Sequence, residues 1–209
     1  MLKSIVSLLA LASFTFSAPG ASREKRVDFP GTPPGFEIGS YSVVGAGCPA
    51  GTTYWYLNPD KTAVGATFSE FFAEAGPGIP TSGNRKTCQL AFEVIVPAGF
   101  TFSISSVDYR VSHRLDSNVT ATQQSTYYFQ GETDQATARS TLTGPTGGDD
   151  YTFRDAFVSP VTSPCHQFIP VLYIDIDVHV ENSVNPEASG SLAMVTDLAF
   201  NLQSHTCET

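Results

Sequence analysis

Apolar and polar residues alternate with a period of two along most of this chain. Leu90, Phe92, Val94 and Val96 alternate with Ala91, Glu93 and Ile95. Leu172, Ile174, Ile176, Val178 and Val180 alternate with Tyr173, Asp175, Asp177, His179 and Glu181. Leu192, Met194, Leu198, Phe200 and Leu202 alternate with Ala193, Val195, Asp197, Ala199 and Asn201. A period of two sends successive side chains to opposite faces of a strand. Each run therefore predicts a strand with one buried and one wetter face, which suits antiparallel sheets better than doubly covered parallel ones. Between 100 and 115 the parity changes. Phe100, Phe102 and Ile104 share one parity, and Val107, Tyr109, Val111, His113 and Leu115 share the other. One extra residue at Ser105-Ser106 keeps both halves facing the core, so a β-bulge is predicted there. Turn signals recur at Gly76-Pro77-Gly78, Pro97-Ala98-Gly99, Gly144-Pro145 and Thr146-Gly147-Gly148-Asp149-Asp150. Strands between regular turn signals predict an all-β chain, an antiparallel β-sandwich. One segment breaks the pattern. Phe68, Phe71, Phe72 and Ala75 sit at helical spacing before Gly76-Pro77. A short helix is expected there, with a strand from Thr62 to Phe68 as its competitor.

The first residues follow another logic. Lys3 precedes a short apolar run from Ile5 to Ala12, and small residues follow at Ser13, Ser17 and Ala18. This is the order of a secretion signal, placed at residues 1–17. The run falls far short of the ~20 residues that span a bilayer. Residues 18–26 read as a short propeptide ending at the dibasic pair Lys25-Arg26, whose cleavage leaves Val27 first. An exposed charged linker is the competing reading. Residues 27–37, rich in Pro and Gly, read as an extended lead-in, and residues 38–209 as a single sandwich domain.

Removing residues 1–26 leaves 183, enough for a sizeable core. Seven Lys and Arg then face nineteen Asp and Glu, a net charge of −12. Such a surface repels a phosphate backbone and anionic membranes, so neither nucleic acid nor membrane is an expected partner. Four cysteines remain: Cys48, Cys88, Cys165 and Cys207. An even number in an oxidising compartment predicts two disulfides. Of three possible pairings, Cys48–Cys88 with Cys165–Cys207 is preferred, because each closes a loop of about forty residues, worth roughly 3–4 kcal/mol in the chain-entropy model. Asn118-Val119-Thr120 is a glycosylation sequon.

The order of several short motifs resembles a family of small secreted proteins, mainly fungal with some bacterial members, catalogued as domain of unknown function 4360. They are Gly45-Ala46-Gly47-Cys48-Pro49-Ala50-Gly51-Thr52, Gly76-Pro77-Gly78, Arg85-Lys86-Thr87-Cys88-Gln89-Leu90 and Pro97-Ala98-Gly99-Phe100-Thr101-Phe102. Val107-Asp108-Tyr109-Arg110, Tyr127-Tyr128-Phe129-Gln130-Gly131, Gly144-Pro145, Ser163-Pro164-Cys165 and the late cysteine complete the set. The similarity runs from about residue 38 to 207. The chain departs from it at Val111, where the family has glycine, and at Thr162, where it has an aromatic. The resemblance implies an all-β secreted domain and no known catalytic residue.

Candidate chemistry is sparse. Asp175, Asp177 and His179 share one strand face, yet at about 3.4 Å per residue the first and last stand roughly 13 Å apart, too far to hold one ion. A solvated face accounts for them. Gly147-Gly148-Asp149-Asp150 with nearby Asp155 offers carboxylates for calcium but lacks the ligand alternation of a known calcium loop. A polar hairpin loop accounts for it. No metal and no cofactor are expected. There is no Gly-x-Ser-x-Gly elbow and no His-Glu-x-x-His pair. The aromatic clusters Tyr54-Trp55-Tyr56 and Tyr127-Tyr128-Phe129 could stack on sugar faces. Alternation sends Trp55 one way and its two neighbours the other, so half of each cluster is expected in the core. Tyr54, Tyr56, Tyr127 and Tyr128 are the candidate ligand-binding residues. The leading expectation is a secreted, non-catalytic module that binds extracellular polysaccharide or protein. A hydrolase with a site built from strand ends, and a structural wall component, are the alternatives.

Overall fold

A computed structural model describes residues 28–148, 150–165 and 169–207, apart from the side chains at 28–30 and 195–197. The signal segment, Lys25 and Arg26 lie outside the described residues. The strands are β1 (Asp28–Pro30), β2 (Glu37–Val44), β3 (Thr53–Leu57), β4 (Ala63–Phe68), β5 (Phe72–Ala75) and β6 (Arg85–Ile95). They continue with β7 (Phe100–Leu115), β8 (Thr120–Phe129), β9 (Gln135–Thr143), β10 (Asp150–Ala156), β11 (Val171–Glu181) and β12 (Gly190–Thr206). Sheet A runs β10-β7-β12-β4-β3, with β1 and β5 also paired to β12. Sheet B runs β2-β6-β11-β8-β9. Every described pairing is antiparallel. The expected disulfide-stapled β-sandwich is the fold.

The buried parities are those of the sequence. Leu90, Phe92 and Val94 on β6, and Leu172 to Val180 on β11, line the core. They meet Val107, Tyr109 and Val111 of β7 and Leu198 and Phe200 of β12. Rings meet edge to face in the middle: Phe102 with Phe36 at 5.3 Å and with Phe129 at 5.2 Å, and Tyr127 with Phe157 at 4.8 Å. The bulge falls as expected. Asn201 of β12 pairs with Ser106 and Leu202 with Ile104, leaving Ser105 as the extra residue. A single insertion flips parity. Farther along, Met194 pairs with Val111 and Leu198 with Tyr109, so β12 gains two residues and its parity survives. That is why no defect shows in the β12 sequence pattern.

One expectation is corrected. The segment holding Phe68, Phe71, Phe72 and Ala75 is not a helix. It ends β4, bends, and forms β5, which pairs Ala75 with Gly190 and Phe72 with Ala193. Phe72 points outward while Ala73 and Ala75 are buried. A helix of two turns is marginal alone, and a long-range ladder to β12 outweighs it. The only helical turn among the described residues is a 3-10 turn at Thr81–Gly83. The lead-in is joined to the domain. β1 adds to β12, and Phe36 is buried in the core.

Both preferred disulfides form. Cys48–Cys88 ties the β2–β3 loop to β6 with Cα atoms 5.5 Å apart, and Cys165–Cys207 ties the segment after β10 to the end of β12 with Cα atoms 5.7 Å apart. Asn118 is exposed in the β7–β8 turn at φ 64°.

Candidate functional site

The four candidate tyrosines separate into three places. Tyr54 and Tyr56 stand on the outer face of sheet A, 68% and 41% exposed. Trp55 points inward between Tyr41 at 5.2 Å and Phe92 at 5.6 Å, bridging the sheets. Tyr128 is on the outer face of sheet B. Tyr127 lies in the core at 0% exposure, its hydroxyl donating to Ile104 or Val161 carbonyl oxygen, each at 3.0 Å. Burial pushes that hydroxyl up to about 12. Tyr127 therefore drops out of any surface site.

On sheet A, register builds a row across five strands. Tyr56 pairs with Gly65, Gly65 with Ala199, Ala199 with Asp108, and Asp108 with Arg154. At about 4.8 Å per strand the row is roughly 19 Å long. The far half of the Tyr56 ring occupies the place of a Cβ on Gly65, so the ring is laid over β4. The polar end is a connected cluster. Arg154 Nη2 donates to Asp108 Oδ2 at 2.6 Å, and Asn201 Nδ2 donates to the same oxygen at 2.8 Å and to Ser106 Oγ at 3.0 Å. The Arg154 guanidinium holds the Asp108 carboxyl below its ordinary value, with Asn201 adding to the effect against partial burial. An open groove of about 400 Å³ continues from this end, lined by Thr62, Ser106, Arg154, Asn201 and Gln203. The face thus offers an aromatic platform and polar hydrogen-bonding groups in one line.

Sheet B offers a different face. Tyr128 pairs with Tyr173, and their rings stack at 5.2 Å and 16°. Gln89 Nε2 donates to Asp175 Oδ1 at 2.8 Å and to Tyr128 Oη at 3.4 Å. Burial and then Asp175 raise the Tyr128 hydroxyl above its ordinary value. Threonine pairs Thr122–Thr141 and Thr126–Thr137 complete the face at 3.2 and 3.1 Å. Asp177 is held by Arg85 at 2.5 Å. Asp175 and Asp177 thus serve hydrogen bonds and an ion pair within the sheet.

In the β9–β10 loop, Asp149 lies outside the described residues. Asp150 takes an ion pair from Arg110 at 2.8 Å, and Asp155 accepts the Tyr109 hydroxyl at 2.7 Å. Among the described residues no three His, Cys, Asp or Glu side chains gather to hold a metal ion. A strand-end cleft of about 430 Å³ brings together Glu74, Arg114 and Asp116, where Asp116 accepts the Ser189 N–H at 2.8 Å. No histidine lines it. Sequence reasoning missed Tyr173, Asp108, Arg154 and Asn201. Parity marked Tyr173, Asp108 and Asn201 as outward-facing, but nothing local says which strand lies beside which.

Residues 34–207 match the model of a family described as Domain of unknown function (DUF4360). A relative from Arthroderma benhamiae, described as an uncharacterized secreted protein, is 38% identical over 159 residues. The match covers 71% of this chain and 64% of the relative, so the chain spans just under two thirds of that relative's length. Two solved structures are similar at low scores. One is of TmCBM61 in complex with β-1,4-galactotriose, with a TM-score of 0.27 and 13% identity over 79% of this chain and 90% of that one. The other is a family 11 carbohydrate-binding module from Clostridium thermocellum with a mixed-linked tetrasaccharide, with a TM-score of 0.22 and 8% identity over 81% and 86%. At these TM-scores neither likeness bears on the ligand. Among the described residues no helix is long and apolar enough to cross a membrane.

Proposed function

The chain belongs to the DUF4360 family, and from its own residues we propose that it is a non-catalytic module binding a neutral extracellular polysaccharide on the outer face of sheet A. The protein is secreted, as its relative is. One observation carries the proposal: Tyr56, laid over Gly65 and still 41% exposed, begins a row that ends at the Asp108–Arg154–Asn201 cluster. A sugar ring has apolar C–H faces and hydroxyl edges. The faces suit an aromatic ring, and the edges suit the amide, carboxylate and guanidinium groups beside it. The acidic net charge favours a neutral over an anionic chain. The secreted form begins at Val27, directly before β1, and Asn118 carries a glycan, well away from the row. N-terminal sequencing of the protein from medium and mass measurement after deglycosylation check these two statements.

Capture of the secreted chain on a glycan array and on isolated cell wall tests the ligand. Tyr56→Ala and Asn201→Ala should each weaken capture, Tyr56→Ala about tenfold, while remaining folded at the assay temperature. Unchanged capture by both variants overturns the proposal. A hydrolase remains the second reading, on the strand-end cleft with Glu74 and Asp116. Release of reducing ends by the wild type, abolished by Glu74→Gln or Asp116→Asn, would replace the first reading with the second.

A further inference from the structure

We propose that the polysaccharide lies along the strands of sheet A as an extended chain, running from Asn201 over Tyr56 and past Tyr54 to Phe72. This path rests on the sheet A reading of the ligand and adds Phe72 as its far contact. Phe72 is the first residue of β5. Its neighbour Phe71 is 2% exposed and packs on Phe68 at 5.0 Å, whereas Phe72 stands on the outer face, 44% exposed. Exposed apolar side chains scattered singly are ordinary on a protein surface. Tyr56, Tyr54 and Phe72 share one face and one line, and an exposed apolar stretch of that kind marks an interaction surface.

Register sets the line. Tyr54 and Tyr56 are two residues apart on β3, about 7 Å along the strand. Phe72 pairs with Ala193, and Ala193 with Ser112. The Tyr56 row meets β7 at Asp108, four residues before Ser112, so Phe72 lies about 14 Å farther along the strands. β7 takes one edge of β12 over both stretches, which leaves β4 and β5 together on the other edge. Phe72 therefore stands in line with Gly65, over which the Tyr56 ring is laid. Tyr54, 68% exposed, stands one strand to the side between them. In the opposite direction Ala63, two residues before Gly65, pairs with Asn201 at the open groove. Measured on β7, Asn201 is opposite Ser106 and the Phe72 row meets Ser112, so the path is about 20 Å long. A path of that length outruns one sugar ring, so the ligand is a chain held along its length. Each aromatic side chain offers a face to one sugar ring, and the Asn201 amide serves a hydroxyl edge. Phe72 carries no polar atom on its ring. It adds affinity for chain length and not for a particular pattern of hydroxyls.

NMR titration of the full secreted chain with neutral oligosaccharides of graded length tests the path. The probes are β-1,3- and β-1,4-linked gluco-oligosaccharides and N-acetylglucosamine oligomers, from the disaccharide to the hexasaccharide. Affinity should rise with length, and Tyr56→Ala should weaken every length. Phe72→Leu keeps an apolar side chain and loses the ring face. It should weaken the hexasaccharide about tenfold and leave the disaccharide unchanged, while Phe72→Tyr should bind as the wild type does. No binding of any oligomer, or no effect of Tyr56→Ala at any length, defeats the sheet A reading and the path together. A Tyr56→Ala effect with hexasaccharide affinity untouched by Phe72→Leu defeats the path alone. So does a hexasaccharide bound no tighter than the disaccharide, or a Phe72→Leu loss equal at both lengths, which would make Phe72 merely structural. Self-association in light scattering, abolished by Phe72→Leu with oligosaccharide binding unchanged, would instead give the line of rings to a second copy of the chain.

Discussion

Sheets A and B both turn a tyrosine-bearing face to solvent, and the two faces hold their rings differently. On sheet B, Tyr128 stands opposite Tyr173 and the rings stack on each other. Cross-strand aromatic pairs of this kind stabilise a sheet by using each other's faces. On sheet A, Tyr56 stands opposite Gly65, which has no side chain to meet it, and the ring is laid over the glycine. Such a ring covers a weak point of the strand and still presents surface to solvent. A tyrosine is therefore available to a ligand according to what the next strand places opposite it. Exposure of the strand face alone does not decide it.

The largest effect contrasts two neighbours in sequence. Tyr127→Ala should cost about 3–5 kcal/mol in denaturant unfolding, as large aromatic truncations in cores do. Tyr128→Ala, on the outer face, should cost under about 1.5 kcal/mol, the size of a cross-strand ring pair. Equal costs would show that Tyr128 is also structural and remove the contrast within the pair. Next in size is Tyr56→Ala, which should weaken polysaccharide capture about tenfold, near 1.4 kcal/mol, while Tyr173→Ala should leave it unchanged. Loss of capture from Tyr173→Ala and not from Tyr56→Ala would move the site to sheet B. The smallest effect is on pH. Arg154 depresses the folded-state value of Asp108, so the stability that Asp108 contributes is present above the unfolded value of about 3.9 and lost as pH falls through the folded one. Asp108→Asn should thus flatten the acid limb of the stability curve slightly, because the pair is screened by solvent. An acid limb identical to the wild type would mean that the ion pair contributes nothing in solution.

Legibility in the sequence followed the range of the interaction. The bulge at Ser105 was readable because one extra residue flips parity on a single strand. The double insertion in β12 was invisible because two residues restore it. The helix expected over Phe68 to Ala75 rested on local spacing, and pairing with Gly190 to Ala193 overrode it. Trp55 and the Tyr54/Tyr56 pair parted as alternation requires. Tyr127 and Tyr128 also parted by alternation, yet which of them was buried rested on the packing of β8 against β7 and the segment after β10.

The residues alone set the strand periodicity and the two faces of the strands read from it, because both follow from spacing along one chain, and loop length ranked one disulfide pairing above the other two, which the fold then decided. Which strand lies beside which was settled by folding. The row from Tyr56 to Arg154 joins residues up to about a hundred and forty positions apart in sequence. Its neighbours are chosen by burying two sheets against one core and completing every backbone ladder. No local signal carries that choice, so the candidate site became visible only when register set Gly65 beneath Tyr56 and Asn201 beside Asp108.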